Sequence, residues 1–322
     1  MKKIIFAVAL MLTMFSSFAE AFTPPKTVTV TIGYGPGSGN EVSFRAVAAH
    51  IEKNNPNIRF LIQNKPGADE ILGLNDFFTK PADGTNLLVA SYAIMATSEI
   101  FFPEAMKHNV MDLSLVTTIA KSPLCVIANI NSKTNTPREL ITRLSNTKEP
   151  VNIGLGVTGH ALVYEHLLEK SNADRNLVKA VPFKFAADAA QAVAGGHVEF
   201  GIVPAAIANA MVKTGKAKFI GITGERRLAQ IPDVPLFKDA GMPELLIYGH
   251  WVIALPPNTP KEIVKYYQEL FVSAINSAEV KEFFDNSLML TYPAEQNPEG
   301  VRKFFTGFRN YWQPYARKIN LN

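Results

Sequence analysis

Cysteine is almost missing from this 322-residue chain. Cys125 is the only one, which excludes an internal disulfide and an all-cysteine metal site. Charge is also sparse. Charged residues make up 19%, and 32 basic against 28 acidic side chains leave a formal net charge of +4. No dense Lys/Arg block occurs, so the chain lacks the electrostatic footprint of a nucleic-acid binder, and its charge reads as a solvated surface. Beyond the N-terminus, no apolar run reaches spanning length. With 47% hydrophobic residues, the composition is that of a globular protein long enough for about two domains.

Catalytic and metal motifs are equally scarce. There is no G-x-S-x-G nucleophile elbow, no H-E-x-x-H and no Cys/His cluster, so no metal, no cofactor and no catalytic residue is assigned. His160 and His166 are six residues apart and point to different helix faces. Cys125 lies in an apolar strand and reads as an inert core thiol. Glu41 and Asp188 sit near helix starts, where a carboxylate complements the helix dipole.

The N-terminus carries a different signal. Lys2 and Lys3 precede the apolar stretch 4–18, and Ala19-Glu20-Ala21 is a small-x-small cleavage site. This is the pattern of a secretory signal peptide over residues 1–21, with the mature chain starting near Phe22. A membrane anchor is the alternative, disfavoured by the short apolar run and the cleavage site. Export to a periplasm follows, a compartment poor in ATP and NAD.

Strand and helix patterns alternate through the rest. Residues 27–33 (TVTVTIG) alternate β-branched side chains, and residues 58–63, 85–91, 113–120, 124–129, 151–155, 178–183, 200–203 and 219–223 read as further strands. Helical patterns lie between them, with amphipathic helices over 260–276 and 300–318. This alternation predicts an α/β fold with largely parallel sheets.

Two glycine-rich turns each follow a strand and open a helix. The first is Gly35-Pro36-Gly37-Ser38-Gly39-Asn40-Glu41 and the second Gly154-Leu155-Gly156-Val157-Thr158-Gly159. The first backbone N–H groups of a helix have no intrahelical partner, and the dipole adds roughly half a positive charge there. Glycine leaves the backbone open to close approach, so such turns can hold a carboxylate or phosphate. The second turn also matches G-x-G-x-x-G. The dinucleotide fingerprint needs an acidic residue ending the next strand, whereas Asp174 precedes that strand and Lys184 ends it, so the dinucleotide reading is rejected.

The succession of motifs resembles the periplasmic solute-binding receptors of the tripartite tricarboxylate transporter system, the TctC or Bug family. The resemblance rests on the first glycine loop, on Gln63-Asn64-Lys65-Pro66-Gly67-Ala68 and on Pro81-Ala82-Asp83-Gly84. It continues through Val181-Pro182-Phe183-Lys184, Gly195-Gly196-His197-Val198-Glu199 and Ile231-Pro232-Asp233-Val234-Pro235. Asp239-Ala240-Gly241-Met242-Pro243 and Pro256-Pro257-Asn258-Thr259-Pro260 complete it. The motifs occur in family order over nearly the whole mature chain.

The resemblance implies a two-domain Venus-flytrap binding protein, each domain a mainly parallel sheet flanked by helices. Residues 22–121 plus about 246–296 would form one domain and 122–245 the other, with a C-terminal helix over 297–322. A small carboxylate would lie between them, held by Tyr34, Gly37, Ser38, Gly39, Asn40 and Glu41, by Ser91, by Gly156 and Thr158, and by Phe183 and Lys184. It implies a monomer that delivers its ligand to membrane permease subunits. Departures from the family pattern are Asn40-Glu41 for Thr-Asp, a shorter second loop, Phe185 for a glycine, and Val203 for an acidic or amide residue. The alternatives are an exported α/β hydrolase-like enzyme, or a ligand sensor without transport. N-terminal sequencing of the exported protein is expected to begin at or near Phe22; a mature chain that retains Met1 would contradict the leader.

Overall fold

The computed structural model describes residues 22–317 and 319, so the expected leader over residues 1–21 lies outside the described residues. The first lobe opens with β1 (Thr27–Ile32), α1 (Gly39–Asn54), β2 (Arg59–Asn64), α2 (Ile71–Phe77), β3 (Asn86–Ser91), α3 (Tyr92–Ala96) and α4 (Ser98–Phe101). The long β4 (Ser114–Asn129) leads into the second lobe. That lobe runs α5 (Pro137–Ser145), β5 (Val151–Leu155), α6 (Ala161–Ser171), β6 (Val178–Pro182), α7 (Ala186–Ala194), β7 (Phe200–Pro204), α8 (Ala205–Lys213) and β8 (Ala217–Ile222). The chain returns through β9 (Tyr248–Leu255) and ends in α9 (Lys261–Ile275), α10 (Ala278–Asn286) and α11 (Pro298–Ala316).

Each lobe contains a parallel triplet, β2-β1-β3 in the first and β6-β5-β7 in the second. Strand–helix–strand crossovers produce this arrangement. Between the triplets lie β4 and β9, antiparallel to each other and to their outer neighbours. The sequence pattern reads residues 113–120 and 124–129 as two strands and gives no element to 248–255. The structure joins the former pair into one 16-residue strand. Its first part, through Pro123, pairs with β9; from Leu124 onward it pairs with β7, and from Cys125 also with β8. A chain that leaves one lobe and returns must pass the junction twice in opposite directions, which makes the joining pair antiparallel.

Packing is ordinary on both sides of this pair. The buried face of α1 sets Phe44 against Phe60 and Phe271, with ring centroids 5.4 and 6.0 Å away. Phe44 and Phe271 are fully buried, and each contributes about 1.5–3 kcal/mol. Cys125 is buried and its thiol donates to the Val203 carbonyl, as an inert core group does. Helix α11 touches both lobes: Phe308 meets Tyr92, and Trp312 meets His166.

The junction contains a buried ionic group. Glu295 pairs with Lys121 of β4 through one oxygen, and its other oxygen accepts from Thr118 Oγ1 at 3.1 Å and lies 3.1 Å from His250 Nε2 of β9. The Lys121 ammonium lies 4.1 Å from the Tyr292 ring centre and 3.8 Å from that of Phe304, within cation–π range. Burial, reinforced by Lys121, lowers His250 to about 4, so the ring is neutral near pH 7. Burial alone would raise the Glu295 carboxyl, but His250 and Lys121 hold it below its usual value. Ser122 adds a neutral clasp, accepting from Ala206 N–H and donating to the Leu288 carbonyl, both at 3.0 Å.

Removing one partner of a buried pair leaves an uncompensated charge. Glu295→Ala is therefore expected to destabilise the protein by about 3–5 kcal/mol in urea unfolding. Replacing both partners, as Lys121→Met with Glu295→Leu, should cost less than either single change. Equal or larger loss in the double variant would contradict this reading.

Candidate functional site

The helices that follow β1 and β6 begin on opposite sides of one cleft between the lobes. Ser38 caps α1 by accepting from the Glu41 N–H, which leaves the N–H groups of Gly39 and Asn40 without intrahelical partners. Helix α7 starts at Phe185 without a side-chain cap, so the first-turn N–H groups at Ala186 and Ala187 are equally open. Ser38, Gly39, Asn40, Phe185, Ala186 and Ala187 line the cleft. Two helix N-termini from different lobes thus bring their dipoles to one place.

The cleft encloses about 210 Å³. This is below the roughly 300–1,000 Å³ of drug-sized ligand sites, a fit for a small metabolite. Its walls are largely aromatic and aliphatic: Tyr34, Tyr92, Phe185, Trp251, Pro204 and Ile207. Among the described lining residues Asp188 is the only acidic side chain, and none is Lys or Arg. His160 is neutral, because burial lowers it to about 3. Its Nδ1 accepts from the Gly156 N–H at 3.1 Å, which places the proton on Nε2. His160 Nε2 and Tyr92 Oη are buried without hydrogen-bond partners.

Two acids stand directly behind the first-lobe wall. Asp69 accepts from Tyr34 Oη at 2.6 Å and from Ser98 Oγ at 3.0 Å. Glu70 accepts from Ser91 Oγ, from the Ser91 N–H at 3.2 Å and from Asn40 Nδ2 at 3.2 Å. The second Asn40 amide hydrogen goes to the Val89 carbonyl at 3.1 Å. Ala68, Asp69 and Glu70 have φ of 46°, 50° and 76°, a left-handed run without glycine. Such backbone persists where its surroundings fix it, and here hydrogen bonds hold both side chains. Gly33 makes room: a Cβ there would lie 2.5 Å from Glu70 Cβ. With no basic partner, burial pushes the Glu70 carboxyl from 4.5 to about 8.

The structure gathers Tyr34, Ser38, Gly39, Asn40 and Ser91 at the cleft and places the other sequence candidates elsewhere. Gly37 lines a neighbouring groove with Val42 and Met289. Glu41 turns away, accepting from Arg45 Nε at 2.6 Å and from Asn64 Nδ2 at 3.2 Å. The Gly156 N–H is spent on His160. Phe183 packs beneath Gly154, and Lys184 is exposed, its ammonium 5.3 Å from the Phe185 ring centre. The Thr158 side chain lies outside the described residues.

Tyr92, His160, Phe185, Asp188 and Trp251 line the cleft without having been singled out as ligand residues. The glycines also act differently from the expectation of ligand approach, because protein groups fill the space they leave. A Cβ on Gly39 would lie 2.2 Å from the Trp251 ring, and one on Gly156 2.3 Å from Ala186 Cα. Across the lobes, a Cβ on Gly35 would lie 2.9 Å from Phe185, and one on Gly159 2.3 Å from Tyr92. The lobes are in contact at both points.

Comparison with known proteins places this geometry. The family model described as the tripartite tricarboxylate transporter family receptor, TctC, matches residues 43–321. BugT of Bordetella pertussis is 23% identical over 300 residues, covering 92% of this chain and 90% of BugT. MatC of Rhodopseudomonas palustris, solved with bound malate, has a TM-score of 0.80 at 20% identity over 90% of this chain and 98% of that one. The R. palustris protein Rpa4515, solved with adipate, has a TM-score of 0.83 at 19% identity over 90% and 96%. The fold is the two-domain architecture of periplasmic binding proteins. No described helix is long and apolar enough to cross a membrane, and no group of three His, Cys, Asp or Glu among the described residues could hold a metal.

The Glu70 environment generates a pH prediction. The folded protein keeps a proton that the unfolded chain releases above 4.5, so stability falls as pH rises from about 4.5 to about 8. Glu70→Gln should flatten that part of the Tm–pH curve. An unchanged slope in the variant would contradict the buried, unpaired state of Glu70.

Proposed function

We propose, from the premise that the chain belongs to the tripartite tricarboxylate transporter receptor family, that it is a periplasmic receptor for a small organic anion carrying a carboxylate. The observation that carries this reading is the N-terminus of α1, whose Gly39 and Asn40 N–H groups face one small cleft between the lobes, with the N-terminus of α7 across from it. Backbone N–H groups at such ends recognise carboxylates without a basic side chain. The solved relatives named for malate and adipate support the ligand class.

The lobes would be residues 22–121 with about 246–296, and residues 122–245. They open to admit the ligand and close on it, using the Gly35–Phe185 and Gly159–Tyr92 contacts. The closed form then presents a joint surface to permease subunits. The receptor acts as a monomer and without catalysis. Neither cleft serine is bonded to His160, since Ser38 serves the Glu41 N–H and Ser91 serves Glu70 and the Ala93 N–H. A nucleophile–base pair of the hydrolase kind is therefore not built there.

Thermal-shift and calorimetric screening against mono- and dicarboxylates, malate and adipate included, tests the proposal. At least one compound should raise Tm, and at saturation the radius of gyration from small-angle scattering should fall. No carboxylate binding, together with turnover of a generic ester, would replace the receptor by the enzyme.

A further inference from the structure

The charge pattern of the cleft is unusual for a site that takes an anion. Asp188 lines the cleft in the first turn of α7, and its side chain has no hydrogen bond or ion pair among the described residues. A carboxylate there already faces the positive end of α7, so it opposes a second negative group at the same place. Helix α1 differs. Its acid, Glu41, is turned away and paired with Arg45, which leaves the N–H groups of Gly39 and Asn40 open toward the cleft. One end of the cleft suits an anion and the other a cation.

The wall between them adds to this polarity. The Tyr34 hydroxyl proton goes to Asp69, and both Asn40 amide hydrogens go to Glu70 and Val89. These groups can offer the cleft only oxygen lone pairs, which match donors on a ligand. Independently, Tyr92 and His160 are 3% and 1% exposed, line the same cleft, and hold Oη and Nε2 without partners. The Ile202 backbone also acts on the His160 ring, so Tyr92 Oη is the clearer of the two unpartnered atoms. Buried polar atoms of this kind normally find a partner, and a polar ligand would supply it.

Resting on the receptor reading, we propose that the preferred ligand is a zwitterion: a carboxylate held at the N-terminus of α1 and an amine or other cationic group held by Asp188. Asp188 is then the residue that selects such a ligand over a dicarboxylate of equal length. Tyr92 and His160 hydrogen-bond the polar atoms between the two ends.

Matched pairs that exchange one carboxylate for an ammonium group test this directly. The probes are glutarate with 4-aminobutyrate and adipate with 5-aminovalerate, each titrated by calorimetry. The amino acid of the best-fitting pair should bind about ten-fold or more tighter than its diacid. Asp188→Asn, at a half-exposed residue without partners among the described residues, should bring that ratio near one. A diacid that binds tighter than its amino partner, or an unchanged ratio in Asp188→Asn, overturns the zwitterion inference and leaves the carboxylate receptor standing. If no compound binds, the receptor reading fails and this inference fails with it.

Discussion

The two lobes share one antiparallel strand pair, and the cleft exists because of it. Strands β4 and β9 carry the chain out of the first lobe and back, so the lobes can move only by flexing these strands and the segments packed on them. Where they pass, Lys121, Thr118 and His250 converge on Glu295, which lies just before α11. A buried ionic group of this kind adds little net stability, yet it penalises any arrangement that separates its members. It fixes the register of β4, β9 and the C-terminal segment against one another. Trp251, next to His250 on β9, thereby becomes the surface on which Gly39 lies, and the N-terminus of α1 is set at its distance from the opposite lobe.

From that arrangement the electrostatics of the cleft follow. Lys and Arg are absent from the described lining, and the nearest sequence candidate, Lys184, remains on the surface. On the proposed function, binding an anion would fall to backbone N–H groups at helix ends, which supply partial charges in fixed positions. The acids around the cleft act in the opposite sense. Asp69 and Glu70 draw the protons of the first-lobe wall inward, while Asp188 keeps a negative charge at the second-lobe side. On the proposed function, a receptor with this lining would discriminate by where it tolerates negative charge, more than by how much positive charge it gathers.

The sequence discloses these features unevenly. β-branched alternation and glycine-rich strand ends identify β1, the start of α1 and the alternation of strands with helices, because those signals are local. β9 escapes because a strand buried on both faces has no alternation, and residues 248–255 resemble any short apolar run. The continuity of β4 through Pro123 escapes because proline ordinarily ends a strand, and only the change of pairing partners at the junction accommodates it. Phe185 was visible as a departure from the family glycine, but not its contact with Gly35, which depends on how the lobes meet. Asp69 and Glu70 gave no signal at all. Acids in a turn are normally solvated, and nothing local announces that a left-handed run will carry Glu70 into the interior and leave Asp69 half-buried beside it. Asp188 reads as a helix-dipole partner from sequence, and only its place in the cleft gives it a second meaning.

Amide hydrogen exchange, read residue by residue with and without a saturating carboxylate found by screening, tests the central claim most directly. Ligand held between the two helix N-termini should slow exchange at Gly39 and Asn40 of α1, with accompanying protection at Ala186 and Ala187 of α7 as the lobes close. Protection confined to the neighbouring groove around Ala210 and Met289, or to one lobe alone, would contradict the account.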